Sequence, residues 1–160
     1  MAFKPTTYPA EKPLMYRLLK TQLTALIDGV PHLTANLANA SALLNSALKE
    51  INWVGFYFLE GDILVLGPFQ GNPACVEIKS GNGVCGTAVA KDEIQLVKNV
   101  HEFPGHIACD SASNSEIVIP IHANGKVIGV LDIDSPVLAR FDEEDRDGLA
   151  EIVNVLEGMY

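Results

Sequence analysis

The spacing of apolar residues changes period twice along the chain, and those changes divide it into elements. Between Pro13 and Gly29, Met15, Leu18, Leu19, Leu23, Leu26 and Ile27 share one helical stripe, with proline near the start and glycine past the end. A second stripe, Leu33, Leu37, Ala40, Leu44, Ala47 and Leu48, predicts a helix from about His32 to Glu50. From there the period drops to two. Asn52–Leu59 and Asp62–Leu66 read as a hairpin turning at Glu60-Gly61. Val76–Lys79 and Ile94–Val97 are short strands, with a short helix, Val84–Lys91, between them. Ser115–His122 and Lys126–Asp134 alternate most regularly, and the Ala123-Asn124-Gly125 between them accepts the positive φ angles of a tight hairpin. Helical period returns with Leu149, Ile152, Val153 and Leu156. Ahead of them Asp142-Glu143-Glu144-Asp145 puts negative charge at the positive end of a helix dipole.

This order implies an α+β architecture, an antiparallel sheet with helices packed on one face. The other face is left for the irregular segment Asn99–Asn114 to roof, with a pocket beneath it. No repeat, low-complexity run or linker composition divides the chain, so residues 1–160 read as a single domain.

Composition narrows the functions. The residues are 48% hydrophobic and 19% charged, with mean hydropathy +0.20, which is a folded chain and not a disordered one. The net charge of −9 and pI of about 4.8 exclude the basic footprint of a nucleic-acid or anionic-membrane binder. No apolar run approaches the roughly 20 residues that span a bilayer. The opening Met1–Pro9 lacks the apolar core of a signal peptide, so a cytoplasmic location is expected.

Against that background a few side chains stand out. Asp132 and Asp134 are two apart on a strand and point to the same face. Glu116 opens the neighbouring strand, and a hairpin through Asn124-Gly125 brings it toward the same end of the sheet. Carboxyls packed together resist ionising, so at least one is expected to keep its proton at neutral pH. A protonated acid beside an ionised one suits a zwitterionic small molecule. Trp53 and Tyr57, four apart on a strand, are either core packing or an aromatic wall against a methyl, thioether or cationic group.

Three cysteines, Cys75, Cys85 and Cys109, lack the paired spacing of a zinc site, and an odd number does not read as a disulfide framework. Cys109 lies in a polar loop with His101 and His106, where a thiolate can attack and a second thiol can resolve the product as a disulfide. The histidines either lower the thiol pKa or cap the loop. Nearby His, Asp and Glu side chains make a metal conceivable, but no ligand spacing supports one.

Trp53-Val54-Gly55-Phe56-Tyr57, Gly83-Val84-Cys85-Gly86, Phe103-Pro104-Gly105-His106-Ile107-Ala108-Cys109-Asp110 and Ser113-Asn114-Ser115-Glu116-Ile117-Val118-Ile119-Pro120 resemble the signature of the free methionine-(R)-sulfoxide reductases, single GAF domains. The likeness runs from the first helix to the last. It implies a catalytic Cys109, with Cys75 and Cys85 as the resolving or recycling pair, and a substrate pocket of Trp53, Tyr57, Glu116, Asp132 and Asp134. It also implies free methionine sulfoxide as substrate, thioredoxin as reductant, no metal or organic cofactor, and a possible homodimer through the helices. On this reading Glu116 or Asp134 hydrogen-bonds the sulfoxide oxygen, Asp132 takes the ammonium and Trp53 holds the S-methyl group. The rival expectation is a non-catalytic GAF module that binds a small ligand or senses peroxide through the same thiols.

Overall fold

The computed structural model describes residues 2–160; Met1, which opens the motif-free N-terminal segment, lies outside them. Helices α1 (Lys12–Ile27) and α2 (Leu33–Ala47) precede β1 (Trp53–Glu60), β2 (Ile63–Gly71) and β3 (Glu77–Lys79). Then come α3 (Gly83–Lys91), β4 (Gln95–Val97), a 3-10 turn at Val100–Glu102, β5 (Ser115–Ala123), β6 (Lys126–Ser135) and α4 (Glu143–Glu157). The six strands form one sheet in the order β3-β2-β1-β6-β5-β4, every neighbouring pair antiparallel. Among the described residues no helix is long and apolar enough to cross a membrane.

Alternation along the central strands separates two apolar clusters. Val54, Phe56, Ile117, Ile119, Leu131 and Ile133 face α1, α2 and α4, where Leu19, Leu23, Leu44, Leu149 and Ile152 complete the main core. The alternate residues Trp53, Tyr57, Val118 and Val130 point the other way and meet Val84, Cys85 and Ala88 of α3. Three helices therefore share one face, while the short α3 packs on the opposite face and walls the pocket.

Several boundaries differ from the sequence pattern for local reasons. Helix α2 ends at Ala47, before the expected Glu50, because Leu48 turns extended to stay in the core and Glu50 adopts φ 58°. Strand β2 runs five residues beyond Leu66, to Gly71, through Pro68. Proline is tolerated there because the register with β1 shifts between Gly55 and Tyr57 and β3 pairs only with residues 63–65. Gly55 is demanded by that crossing, since a Cβ would land on Phe69.

Helix α4 starts with a capping box, Asp142 accepting from the Asp145 N–H and Asp145 from the Asp142 N–H. The Asp145 carboxylate also accepts from the Tyr16 hydroxyl at 2.7 Å and pairs with Lys12 at 2.7 Å. One buried acid thus caps α4 and docks it on α1.

Candidate active site

Strand register assembles the site. Trp53 pairs with Asp134 across β1 and β6, and Asp134 pairs with Glu116 across β6 and β5. One step along, Gly55 pairs with Asp132 and Asp132 with Val118. The β5–β6 hairpin reaches this register through a two-residue turn, Asn124 at φ 53° and Gly125 at φ 75°, and a bulge between Ile121 and His122 that moves the pairing by one residue. The three carboxyls expected to converge do so, with relative exposures of only 6% for Glu116, 5% for Asp132 and 9% for Asp134.

Burial with like charges decides their protonation. The Glu116 carboxyl is pushed well above its usual range, first by burial and then by the Asp132 and Asp134 charges. Asp134 is pushed well up by burial and by Asp132, against contacts from Glu116 and Ser113 that favour its ionised form. Burial also raises Asp132, but hydrogen bonds from Glu116 and the Cys85 thiol favour its charge. Burial and crowding thus favour the protonated form of Glu116 and Asp134, while its neighbours' protons favour the charge of Asp132. One Asp132 oxygen, Oδ1, is buried with no hydrogen-bond partner among the described residues.

Cys109 and Cys75 form a disulfide, their Cα atoms 5.4 Å apart. Cys75 lies between β2 and β3; Cys109 lies between the 3-10 turn and β5, in a stretch without helix or strand. Cys85, the third cysteine of the sequence pattern, makes no disulfide. It is buried on α3 with its thiol pushed well up, by burial and then by Asp132 and Glu116. Its sulfur and one oxygen each from Glu116 and Asp132 lie within 4.8 Å of one another. Those donors have the composition of a divalent-cation site, and donation of the Cys85 and Glu116 protons toward Asp132 accounts for the same closeness.

The aromatic pair does more than form a wall. Trp53 and Tyr57 stack at 5.9 Å between ring centres, and Phe69 stacks on the other side of Trp53 at 5.2 Å. Their polar tips reach the loop that carries Cys75: Trp53 Nε1 donates to the Asn72 carbonyl at 3.1 Å and the Tyr57 hydroxyl to the Cys75 carbonyl at 2.8 Å. Between these walls, the acids and the disulfide lies a cavity of about 40 Å³. With the disulfide formed, it has room for a few waters and not for an amino acid.

The two histidines divide. His101 braces the loop, its ring 2.8 Å from Asn114 Oδ1 and its N–H on Asn99 Oδ1. His106 lines the cavity, and its pKa is lowered by burial and by His101, which keeps it neutral. Asp110 and Ser113 fell inside signature stretches without a role of their own, and Asn52 lay outside every such stretch. Asn52, just before β1, donates to Asp110 Oδ2 at 3.0 Å and to Ser113 Oγ at 3.2 Å, and both of these residues line the cavity. Polar residues at strand ends and in loops read as solvated, and only the fold turns these inward.

Residues 17–158 match the GAF domain family. The chain is 56% identical over 142 residues to the free methionine-R-sulfoxide reductase of Escherichia coli, covering 89% of this chain and 86% of that protein. It is 46% identical over 139 residues to the enzyme of the same name from Saccharomyces cerevisiae, covering 82% of this chain and 77% of that one. Among solved structures, the free methionine-R-sulfoxide reductase of Neisseria meningitidis in complex with its substrate superposes with a TM-score of 0.94 at 42% identity, covering 99% of this chain and 95% of that chain. With the fold, the pocket and these likenesses in agreement, the chain belongs to the GAF-domain family and, within it, to the free methionine-R-sulfoxide reductases.

Proposed function

We propose that the protein reduces free methionine (R)-sulfoxide to methionine through the Cys109 thiol. The observation that carries this reading is the Cys75–Cys109 disulfide set across a pocket whose floor is Glu116, Asp132 and Asp134.

A sulfoxide sulfur is a weak electrophile until its oxygen is strongly hydrogen-bonded. Glu116, buried and holding its proton, suits that donation, made where negative charge develops as the S–O bond weakens. Asp132, with an unpartnered oxygen, suits the substrate ammonium, and Trp53 suits the S-methyl group. Gly83, Val84 and Cys85, the first residues of α3, line the same cavity, and the positive end of that helix suits an α-carboxylate. A free amino acid satisfies all of these groups, whereas a peptide-bound methionine has no ammonium or carboxylate to offer them.

The Cys109 thiolate attacks the sulfoxide sulfur, the sulfoxide oxygen passes to Cys109, and methionine leaves with two electrons gained. Cys109 remains as a sulfenic acid. Attack by the Cys75 thiol then forms the Cys75–Cys109 bond and releases water. A thioredoxin-type dithiol restores both thiols by exchange at this disulfide.

Incubating reduced protein with racemic free methionine sulfoxide tests the reading. The expected result is loss of two thiols per chain with consumption of only one sulfoxide epimer. Thiol loss with peroxide but not with sulfoxide identifies a redox sensor instead, and loss with neither identifies a ligand-binding module.

A further inference from the structure

We infer that Asn52 is a positioning residue for this thiol chemistry: its side-chain amide ties the Cys109 segment to the strand end beside Asp134 and so sets where the Cys109 sulfur meets a bound sulfoxide. The inference rests on the reductase reading above.

Residues 107–113 have no strand or helix ladder to fix them, and the Cys109 N–H makes only a local bond, to the Ile107 carbonyl at 3.0 Å. What holds the segment to the sheet from its far side is Asn52. The Asn52 backbone N–H donates to the Asp134 carbonyl at 2.9 Å, which pins the residue beside the acid cluster. Its Nδ2 donates to Asp110 Oδ2 and to Ser113 Oγ. Asp110 directly follows Cys109, and its other oxygen accepts from the Ala112 N–H at 2.9 Å. Ser113 lines the cavity together with Asp134. Asn52 thus links the residue next to the sulfur, through its amide, with the acid's own strand position, through its backbone.

Orientation of that amide is forced. Turning it over would set Oδ1 against the Asp110 carboxylate, two acceptors face to face; as placed, Oδ1 is buried with no partner among the described residues. An amide that leaves its own acceptor unsatisfied to keep both donations is held there by what it donates to. When reduction breaks the Cys75 bond, this link remains to keep the thiol over the pocket. Asn52 does not line the cavity, so its loss should alter the approach of the sulfur more than the grip on substrate.

The test is a polarity swap. Asn52→Asp opposes the Asp110 carboxylate with a second one and breaks the link. Asn52→Asp combined with Asp110→Asn restores it with the donor on the other side, because the amide introduced at position 110 then donates to the carboxylate introduced at position 52. Single-turnover rates of reduced protein with saturating free methionine sulfoxide are compared with steady-state KM, and thermal melts check folding. Asn52→Asp and Asn52→Ala should each slow the single turnover about tenfold or more with KM changed less than about twofold. The double variant should recover to within about threefold of the parent protein. A rate for both single variants within about twofold of the parent, or a double variant no faster than Asn52→Asp alone, overturns the assignment. Parent protein that consumes no sulfoxide overturns the reductase reading and this inference with it.

Discussion

The Tyr57 hydroxyl donates to the backbone carbonyl of Cys75 at 2.8 Å, so a strand residue of the pocket wall fixes the loop carrying one half of the disulfide. Burial and the neighbouring Asp132 raise the Tyr57 pKa, which keeps the phenol a donor. Tyr57→Phe keeps the ring stack and deletes this bond. One net hydrogen bond is worth about 1 kcal/mol, or roughly fivefold in a rate that depends on it. The variant should form sulfenic acid at close to the normal rate and close the Cys75–Cys109 bond several-fold more slowly. A rapid-quench experiment with a sulfenic-acid trap measures both steps, and unaltered ring closure would remove Tyr57 from this role.

The cysteines divide the cycle between them. Cys109→Ser should abolish even one turnover, because the nucleophile is gone. Cys75→Ser should give one turnover per chain and then stop under thioredoxin, since no disulfide forms for exchange. Cys85→Ala should keep thioredoxin-driven cycling, because Cys85 is outside the disulfide. Its effect should fall on Asp132, which loses a hydrogen bond that favours its charge. Thiol counting with and without thioredoxin separates the three variants. Equal loss of the first turnover in Cys109→Ser and Cys75→Ser would refute the division.

Glu116 links activity to stability. Its folded-state pKa is raised, so its stabilising contribution is complete below the ordinary carboxyl range and is lost as pH rises through the raised value. Glu116→Gln keeps the shape without the ionisable proton. It should raise Tm at pH 7–8 by roughly 2–4 °C, and the gain should vanish by about pH 4. The same change should slow sulfenic-acid formation by about 10²–10³-fold, the usual effect of losing a general acid, since an amide N–H can donate a hydrogen bond but cannot deliver a proton, with little change in binding. Melting curves across pH and single-turnover rates check the two halves. An unchanged single-turnover rate would leave Glu116 without the acid role.

How much of this was legible in the sequence follows from which forces set each feature. That Glu116, Asp132 and Asp134 gather at one end of the sheet could be read from a period of two and a hairpin turn, but their pairing could not. A plain two-residue turn sets Glu116 opposite Ile133, and the bulge between Ile121 and His122 brings it opposite Asp134. The identity of the Cys109 partner could not be read either, because both half-cystines sit in irregular loops whose paths depend on tertiary contacts. Asp145 reads as one more acid in a helical first turn; only the packing of α1 on α4 turns it into a buried partner of Tyr16 and Lys12. Asn52 is the clearest omission, a polar residue before a strand whose meaning comes entirely from a loop 58 positions away.

The small volume of the cavity sets a last expectation. At about 40 Å³ beneath the Cys75–Cys109 bond, the site cannot hold methionine or its sulfoxide without displacing the segment around Cys109. Reduction frees that segment from its covalent tie, so the reduced protein should bind free methionine at least about tenfold more tightly than the oxidised protein, a difference of about 1.4 kcal/mol. The preference makes oxidation expel product and reduction admit substrate, which gives each turnover a direction. Calorimetric titration of methionine into fully oxidised and fully reduced protein measures it directly. Equal affinities would mean that the disulfide does not gate the pocket, and entry would then have to proceed past Ile107 and Gly83 with the bond intact.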